Sequence, residues 1–567
     1  MTEPSQRNSN FLSIRRRWFI AALILWLAIK LMSHCLDGRR YDNDAGALLL
    51  KSIALVDEGR FPLEGNPFYD FRHLRRSALE NPVPEDATPA EKARIEEPLG
   101  YRDLGLGPFT NFLGAIPLLF SRDVRGQYYF ITILCVLAVF VFFKASAALT
   151  REGRFPWIGA AAFMFPMFLT FHTEIRPSNV AFLPLFMALY FYFLVKSEKG
   201  ESGALPWLWL MVGLCMQTHM SCFILIGTTL VATSPFRDRR RFLLTLFGLA
   251  LVVASHSTVL FVQFAQDPGP IERLSRGITG WVDMRGGGRL FETYWKMFLI
   301  LPLYAVLSFG AGSLVFGFLG IAKAKRLAAA YPQARRILVA GLFHFAASMT
   351  LLPLLSTFKL NAIQFEYFYS GLVFWALYSA LYIHWKISGD VSNGPAHWRR
   401  SPLKVFAVLT CVSELFALLT VIRPSVYCRG FFQLEESMQI GKRVVELIEE
   451  GDMWDIQIWE VTLSDDSGTL RRQSKSRETF SSLCLYSDPL LRWRLSEDGQ
   501  VIVAVVIVPS WMDTEQLRHH SRFWNVDVLD RVEMGCIDAI IARGNVPTPA
   551  AIKTTGRDFR FGSIGTY

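Results

Sequence analysis

The run LDGRRYDNDAG, residues 36–46, closes the first apolar segment of the chain and opens a long polar loop. It sets Asp42 and Asp44 beside Arg39, Arg40 and Tyr41 where hydrophobic sequence gives way to polar sequence. The segment before it, 17–35, follows Arg15, Arg16 and Arg17 and is long enough to cross a bilayer. No small-residue cleavage pattern follows, so it reads as a retained anchor rather than a signal peptide.

The rest of the chain continues in the same apolar style. Of its 567 residues 51% are hydrophobic, 14% aromatic and only 19% charged, and the mean hydropathy is +0.28. That composition excludes an ordinary soluble enzyme and points to a polytopic membrane protein. The formal net charge of +10 is not evidence for nucleic acid, because the basic residues cluster in short loops between apolar runs.

Runs long enough to span fall near 17–35, 127–149, 156–172, 178–196, 204–218, 219–234, 241–264, 292–320, 336–356, 367–386 and 402–422, about eleven in all. With the N-terminus inside, the basic connectors share one side: TREGR (150–154), RDRRR (237–241), AKAKR (322–326) with Arg335 and Arg336, and WRR (398–400) with Lys404. The other side receives the loop 36–126, HTEIRPSN (172–179), the loop around 265–291, the connector near 357–366 and the tail. GPFTNFLGAIPLLF (107–120) is apolar but short and carries Pro108 and Pro117. Were it to span, every later loop would change sides, so it reads as a helix lying in the interface.

Within the first outer loop, Ala45, Leu48, Leu49, Ile53 and Val56 recur at helical spacing and predict an amphipathic helix over 45–58, preceded by Asp42, Asn43 and Asp44. Residues 87–98 read as a short solvated helix capped by Thr88. After Ile422 the tail joins a charged helical pattern, SMQIGKRVVELIEEGD (437–452), to a β-branched run, VIVAVVIVP (501–509), and is long enough for a small α/β domain. It holds no phosphate-cradling glycine loop, metal-ligand spacing or nucleophile elbow. Cys135, Cys215, Cys222 and Cys411 lie in apolar runs as small hydrophobes, and spacing assigns no disulfide among Cys428, Cys484 and Cys536.

Several polar groups on the outer side are candidates for chemistry. Asp42 and Asp44 precede a helix, where an aspartate serves as an N-cap, yet two carboxylates exceed what one cap requires and either suits a general base. His172, Glu174 and Arg176 sit in so short a connector that they must lie at the interface, and Arg pairs well with phosphate. His219 in QTHMS reads first as a hydrogen-bonded structural residue. Lys359, Gln364, Glu366 and Tyr367 form another outer cluster, as do Arg273, Arg276, Asp283 and Arg285. His256, His344 and Glu414 fall within apolar runs, too few and too separated for an ion path.

This pattern resembles the GT-C glycosyltransferases, of the aminoarabinose-transferase and protein-mannosyltransferase kind, which take sugars from polyprenyl-phosphate carriers. The likeness rests on Asp42-Asn43-Asp44-Ala45 after the first span, the EGRFPLEGNP turn (58–67), the segment 107–123 and IRPSN (175–179) before a span. It covers roughly residues 10–425. QTHMS and FEYFY (365–369) are similar to positions often filled this way. The family more often has Asp-Glu where Asn43-Asp44 stands, and its late Arg-Tyr is Glu366-Tyr367 here, so that arginine has no counterpart.

The resemblance implies a mainly α, polytopic membrane bundle over 1–425, with interfacial helices in the periplasmic loop 36–126 and a periplasmic α/β domain over 426–567. It implies a bacterial inner-membrane enzyme with a cytoplasmic N-terminus that transfers a sugar, with inversion, to a hydroxyl of an envelope glycan, lipid or protein. Asp44, or Asp42, is then the base. Arg176, followed by Lys359, Arg273 and Arg276, holds the lipid phosphate, and Glu174, His219, Glu366 and Tyr367 are candidates for acceptor or sugar contacts. No cofactor is expected: two cationic side chains neutralise a monophosphate, so a divalent metal is not demanded. A transporter or lipid-carrier flippase is the competing class; it calls for polar groups and broken helices at mid-membrane, whereas here polarity concentrates in the outer loops. A scaffold working through its tail is the third.

Overall fold

The computed structural model describes residues 43–59, 108–121, 123–150, 153–173, 178–260, 311–359, 369–389, 401–422, 434–454, 456–465, 470–475, 483, 494, 501–509, 527–534 and 537–545. The first apolar run, the 87–98 helix, the loop around 265–291 and the tail cysteines lie outside them. The helices are α1 (Asn43–Glu58), α2 (Phe109–Phe120), α3 (Arg125–Leu149), α4 (Phe155–Thr173), α5 (Leu183–Glu198), α6 (Ala204–Thr218), α7 (Ile224–Thr233), α8 (Arg239–Ser255), α9 (Ala311–Ala322), α10 (Ala324–Ala330), α11 (Arg335–Lys359), α12 (Leu372–Gly389), α13 (Ser401–Ile422) and α14 (Leu434–Glu450). Strands β1 (Ile456–Asp465), β2 (Leu470–Lys475), β3 (Val501–Pro509), β4 (Asp527–Glu533) and β5 (Ile537–Asn545) follow.

The bundle alternates direction, and side-chain contacts fix its two ends. At one end Glu198, closing α5, lies 3.9 Å from Arg241 in α8 and 3.6 Å from Arg336 in α11. Arg241 also donates to the carbonyls of Thr233 (3.1 Å) and Ser197 (3.2 Å), satisfying the last turns of α7 and α5. Phe155, opening α4, packs edge-on to His384 near the end of α12, and Tyr331 bonds that histidine at 2.6 Å. The basic connectors 237–241, 323–326 and 335–336 therefore share one end, as the charge pattern predicts. Antiparallel packing of α9 on α13, with Phe316 against Phe406 and Gly312 beside Thr410, brings the start of α13 to that end.

Between the ends the core is apolar and aromatic. Phe142 stacks on Phe163 at 4.5 Å and on Phe191 at 4.9 Å, locking α3 to α4 and α5. The outward faces carry exposed Ile133, Leu137, Phe140, Phe247, Phe318, Val408 and Val412, an apolar belt that water would not favour. Helix α3, 25 residues long, extends about 37 Å and exceeds a hydrocarbon core of roughly 30 Å.

Helix α2 does not continue this alternation. Its 12 residues reach only about 18 Å. Its first residue, Phe109, is tied to Gln217 at the end opposite the basic connectors, and α3 starts from that same end five residues after α2 stops. It lies across the bundle's end rather than through it.

The tail forms a five-stranded sheet in the order β2-β1-β3-β5-β4, with β1 and β3 parallel and the other pairs antiparallel. Both faces of β3 are buried, at Val503 and Val505 on one and at Ala504, Val506 and Val508 on the other, which is why its sequence is almost continuously apolar. Asp538 in β5 is buried and held by Arg531 of β4 at 2.6 Å and by the Met534 N–H at 3.1 Å. Ile440, Val444, Leu447 and Ile448 of α14 share one apolar cluster with Ile456, Val503, Val505 and Ile541 of the sheet, and also with Ala45, Leu49, Leu118, Val124 and Tyr128 of α1, α2 and the start of α3.

Candidate functional site

The site is assembled around α2. Helix α1 begins at Asn43, so Asn43 and Asp44 belong to its first turn instead of preceding it as the sequence predicts. Asn and Asp suit the cap and the first turn alike, which is why the boundary lies two residues earlier than the apolar spacing predicts. The predicted apolar face is correct: Ala45, Leu48 and Leu49 are buried and Ile53 and Val56 partly so. Where α1 crosses α2, Gly114 allows the approach. A Cβ there would lie 2.9 Å from Ser52 Oγ and 3.0 Å from two side-chain carbons of Leu48. Ser52 spans the crossing, donating to Leu48 O at 2.7 Å with a longer contact to Asn111 O.

Three further ties anchor α2. The Phe109 N–H donates to Gln217 Oε1 at 3.1 Å, and Gln217 Nε2 donates onward to Ser255 O, closing α8. Thr110 Oγ1 donates to Asn179 Oδ1 at 2.8 Å, joining α2 to the end of the 172–179 connector. Gln127 Nε2 of α3 donates to Gly114 O at 2.9 Å. One short helix thus holds together α1 at Leu48 and Ser52, the connector after α4 at Asn179 and the QTHMS turn after α6 at Gln217.

The sequence-predicted residues distribute as follows. Asp44 lies in the α1 first turn, His172 in the last turn of α4 and Lys359 at the end of α11, with their side chains outside those described. Asp42, Glu174, Arg176, Arg273, Arg276, Glu366 and Tyr367 lie outside the described residues. His219 is 1% exposed, and its Nδ1 faces Ser221 Oγ at 2.7 Å and the Ser221 N–H at 3.3 Å, capping the helical turn after it. His344 is buried between Thr228 and Ser370, each 3.1 Å from one ring nitrogen, and ties α7 and α11 to the start of α12. Its partners make it a structural fastener. Gln217, Asn179 and Thr110 were not singled out from sequence. Gln217 opens the QTHMS motif and Asn179 closes IRPSN, whereas Thr110 carries no signal beyond a polar residue inside an apolar run.

No group of three metal-ligating side chains occurs among the described residues. No family model and no curated protein matches the chain. Solved structures do. ArnT from Cupriavidus metallidurans in the apo state matches with a TM-score of 0.51 at 12% identity, over 93% of this chain and 98% of that one. ArnT from the same organism bound to undecaprenyl phosphate matches with a TM-score of 0.49 at 12% identity, over 92% and 98%.

The chain shares the fold of ArnT.

The shared fold extends beyond the bundle into the tail, and α2, read from sequence as an interfacial helix, forms the hub of the polar end.

Proposed function

We propose that the chain is an integral-membrane glycosyltransferase that moves a sugar from a polyprenyl-phosphate carrier to a hydroxyl of an envelope glycan, lipid or protein, with the polar end of the bundle and the tail on the outer side of the inner membrane. The observation that carries this reading is the gathering by α2 of helix α1, packed through Leu48 and Ser52, of the 172–179 connector through Asn179 and of the QTHMS turn through Gln217 at one end of a GT-C fold. ArnT is held with undecaprenyl phosphate in one of its structures, and we extend a carrier of that chemical class to this chain.

The reaction is one displacement with inversion. Asp44, or Asp42, takes the proton of the acceptor hydroxyl, whose oxygen forms a bond to the anomeric carbon. The bond from that carbon to the phosphate oxygen breaks, and polyprenyl phosphate leaves with the electron pair. Negative charge grows on the leaving phosphate, so Arg176, backed by Lys359, Arg273 and Arg276, stabilises the transition state more than the ground state.

The test is transfer of labelled sugar from a panel of polyprenyl-phosphate sugars to envelope fractions by the purified chain in lipid, beside Asp44→Asn and Asp42→Asn. Loss of transfer in one variant that still folds and binds donor supports the reading and names the base. Full activity in both variants removes the aspartates from the mechanism.

A further inference from the structure

The basic end of the bundle carries two classes of basic side chain. Arg241 and Arg336 are engaged with Glu198, which is only 7% exposed, and Arg241 also caps two helices. Arg239, Arg240, Lys323, Lys325, Arg326 and Arg335 are exposed and form no ion pair among the described residues. This second class is an unbalanced positive surface.

That surface is continuous with an apolar one. Exposed residues of α8 run from Arg239 and Arg240 through Phe242, Leu243, Leu246 and Phe247 to Val253, a spacing of three and four that keeps them on one face. Just before α8, Ser234 adopts the left-handed region with φ 44°, an uncommon backbone for a residue with a side chain. The turn that follows leaves Phe236 86% exposed, its ring 5.9 Å from Phe242.

We propose that this end binds the phosphodiester headgroups of anionic glycerophospholipids. Arg239 and Arg240 contact the headgroups, and Phe236 sits at the boundary with the acyl chains. An acidic protein or a nucleic acid would meet the arginines but not the exposed phenylalanine and the apolar strip below it. A diacyl lipid presents anion and hydrocarbon in that order. The proposal is independent of the glycosyltransferase reading.

The test is native mass spectrometry of the full chain released from bilayers holding equal phosphatidylglycerol and phosphatidylcholine. The expected result is preferential retention of phosphatidylglycerol, falling about fivefold for each arginine removed in Arg239→Gln and Arg240→Gln, with a further fall in Phe236→Ser. A second set, Lys323→Gln, Lys325→Gln and Arg326→Gln, removes charge from the start of α10 without touching α8 and lowers retention likewise. Equal retention of the two lipids by the wild type, or undiminished retention in both sets, overturns the proposal. Displacement of the lipid by equimolar inorganic phosphate overturns it too, because the site is then one for a free anion.

Discussion

Arg125 at the start of α3 and Glu435 at the start of α14 form a two-point ion pair, Nε to Oε1 at 2.9 Å and Nη2 to Oε2 at 2.7 Å. It joins residues 310 positions apart in sequence and sits at the margin of the apolar cluster shared by α1, α2, α3 and the tail. Both side chains are more than a third exposed, so the pair fixes orientation more than it stabilises.

Arg125→Ala and Glu435→Ala each loosen the tail, with a coupling in the double-mutant cycle of about 1 kcal/mol or less. Reversal, Arg125→Glu with Glu435→Arg, restores most of it. Hydrogen exchange of α14 amides measures the effect; no coupling between the sites means that the apolar cluster alone holds the tail.

Gly114→Val drives an isopropyl group, whose Cβ alone is already too close, into Ser52 and Leu48 at the α1–α2 crossing. The expected cost is about 1–3 kcal/mol, seen as a lowered Tm and, on the proposed function, as loss of sugar transfer as α1 shifts. Gly114→Ala is milder, and adding Ser52→Ala relieves part of its cost by removing the atom 2.9 Å away. A Gly114→Val chain with unchanged Tm and transfer would show that α1 is not held by this contact.

Gln217→Ala removes the acceptor of the Phe109 N–H and the donor to Ser255 O. A loss of about 1 kcal/mol is expected, because two partly buried backbone groups lose their partners. On the proposed function kcat falls more than donor affinity, since the change moves α2 rather than removing a phosphate contact. Equal weakening of both would argue against that geometry.

Asp530 in β4 accepts from Arg443 Nε in α14, and that bond holds its carboxyl below the usual carboxylate range against the opposing effect of burial. A depressed folded value means that the contribution is fully present above the unfolded value of about 3.9 and is lost as pH falls through the lower folded value. The Tm gap between wild type and Asp530→Asn therefore stays constant near neutrality and closes below about pH 4. A gap independent of pH down to about pH 2 would mean that the bond does not favour the charged form.

Much of this architecture is readable from local pattern. The β-branched run 501–509 is a strand because both its faces are buried, and 437–452 lies almost wholly in α14 because its apolar residues recur every three to four positions. The alternating basic connectors foretell which helix ends meet. The start of α1 is displaced by two residues because Asn43 and Asp44 suit a cap and a first turn equally. The hub role of α2 is not legible. It depends on Gly114, Thr110 and Phe109 meeting Ser52, Asn179 and Gln217, residues up to 108 positions away, and no periodicity encodes such meetings. Nor does any local signal pair β1 with β3 in parallel across the strand between them in sequence.

The apolar cluster that α14 shares with α1, α2 and α3 has a consequence for how the molecule is made. Chains emerge from the N-terminus, so α1 is synthesised long before the tail. Until Ile440, Val444 and Ile448 arrive at the same end, part of the cover over Ala45 and Leu49 is missing. Completion of the last-made segment is therefore a maturation step for the first-made loop, and a nascent or truncated chain carries an unfinished α1 however well its bundle is inserted.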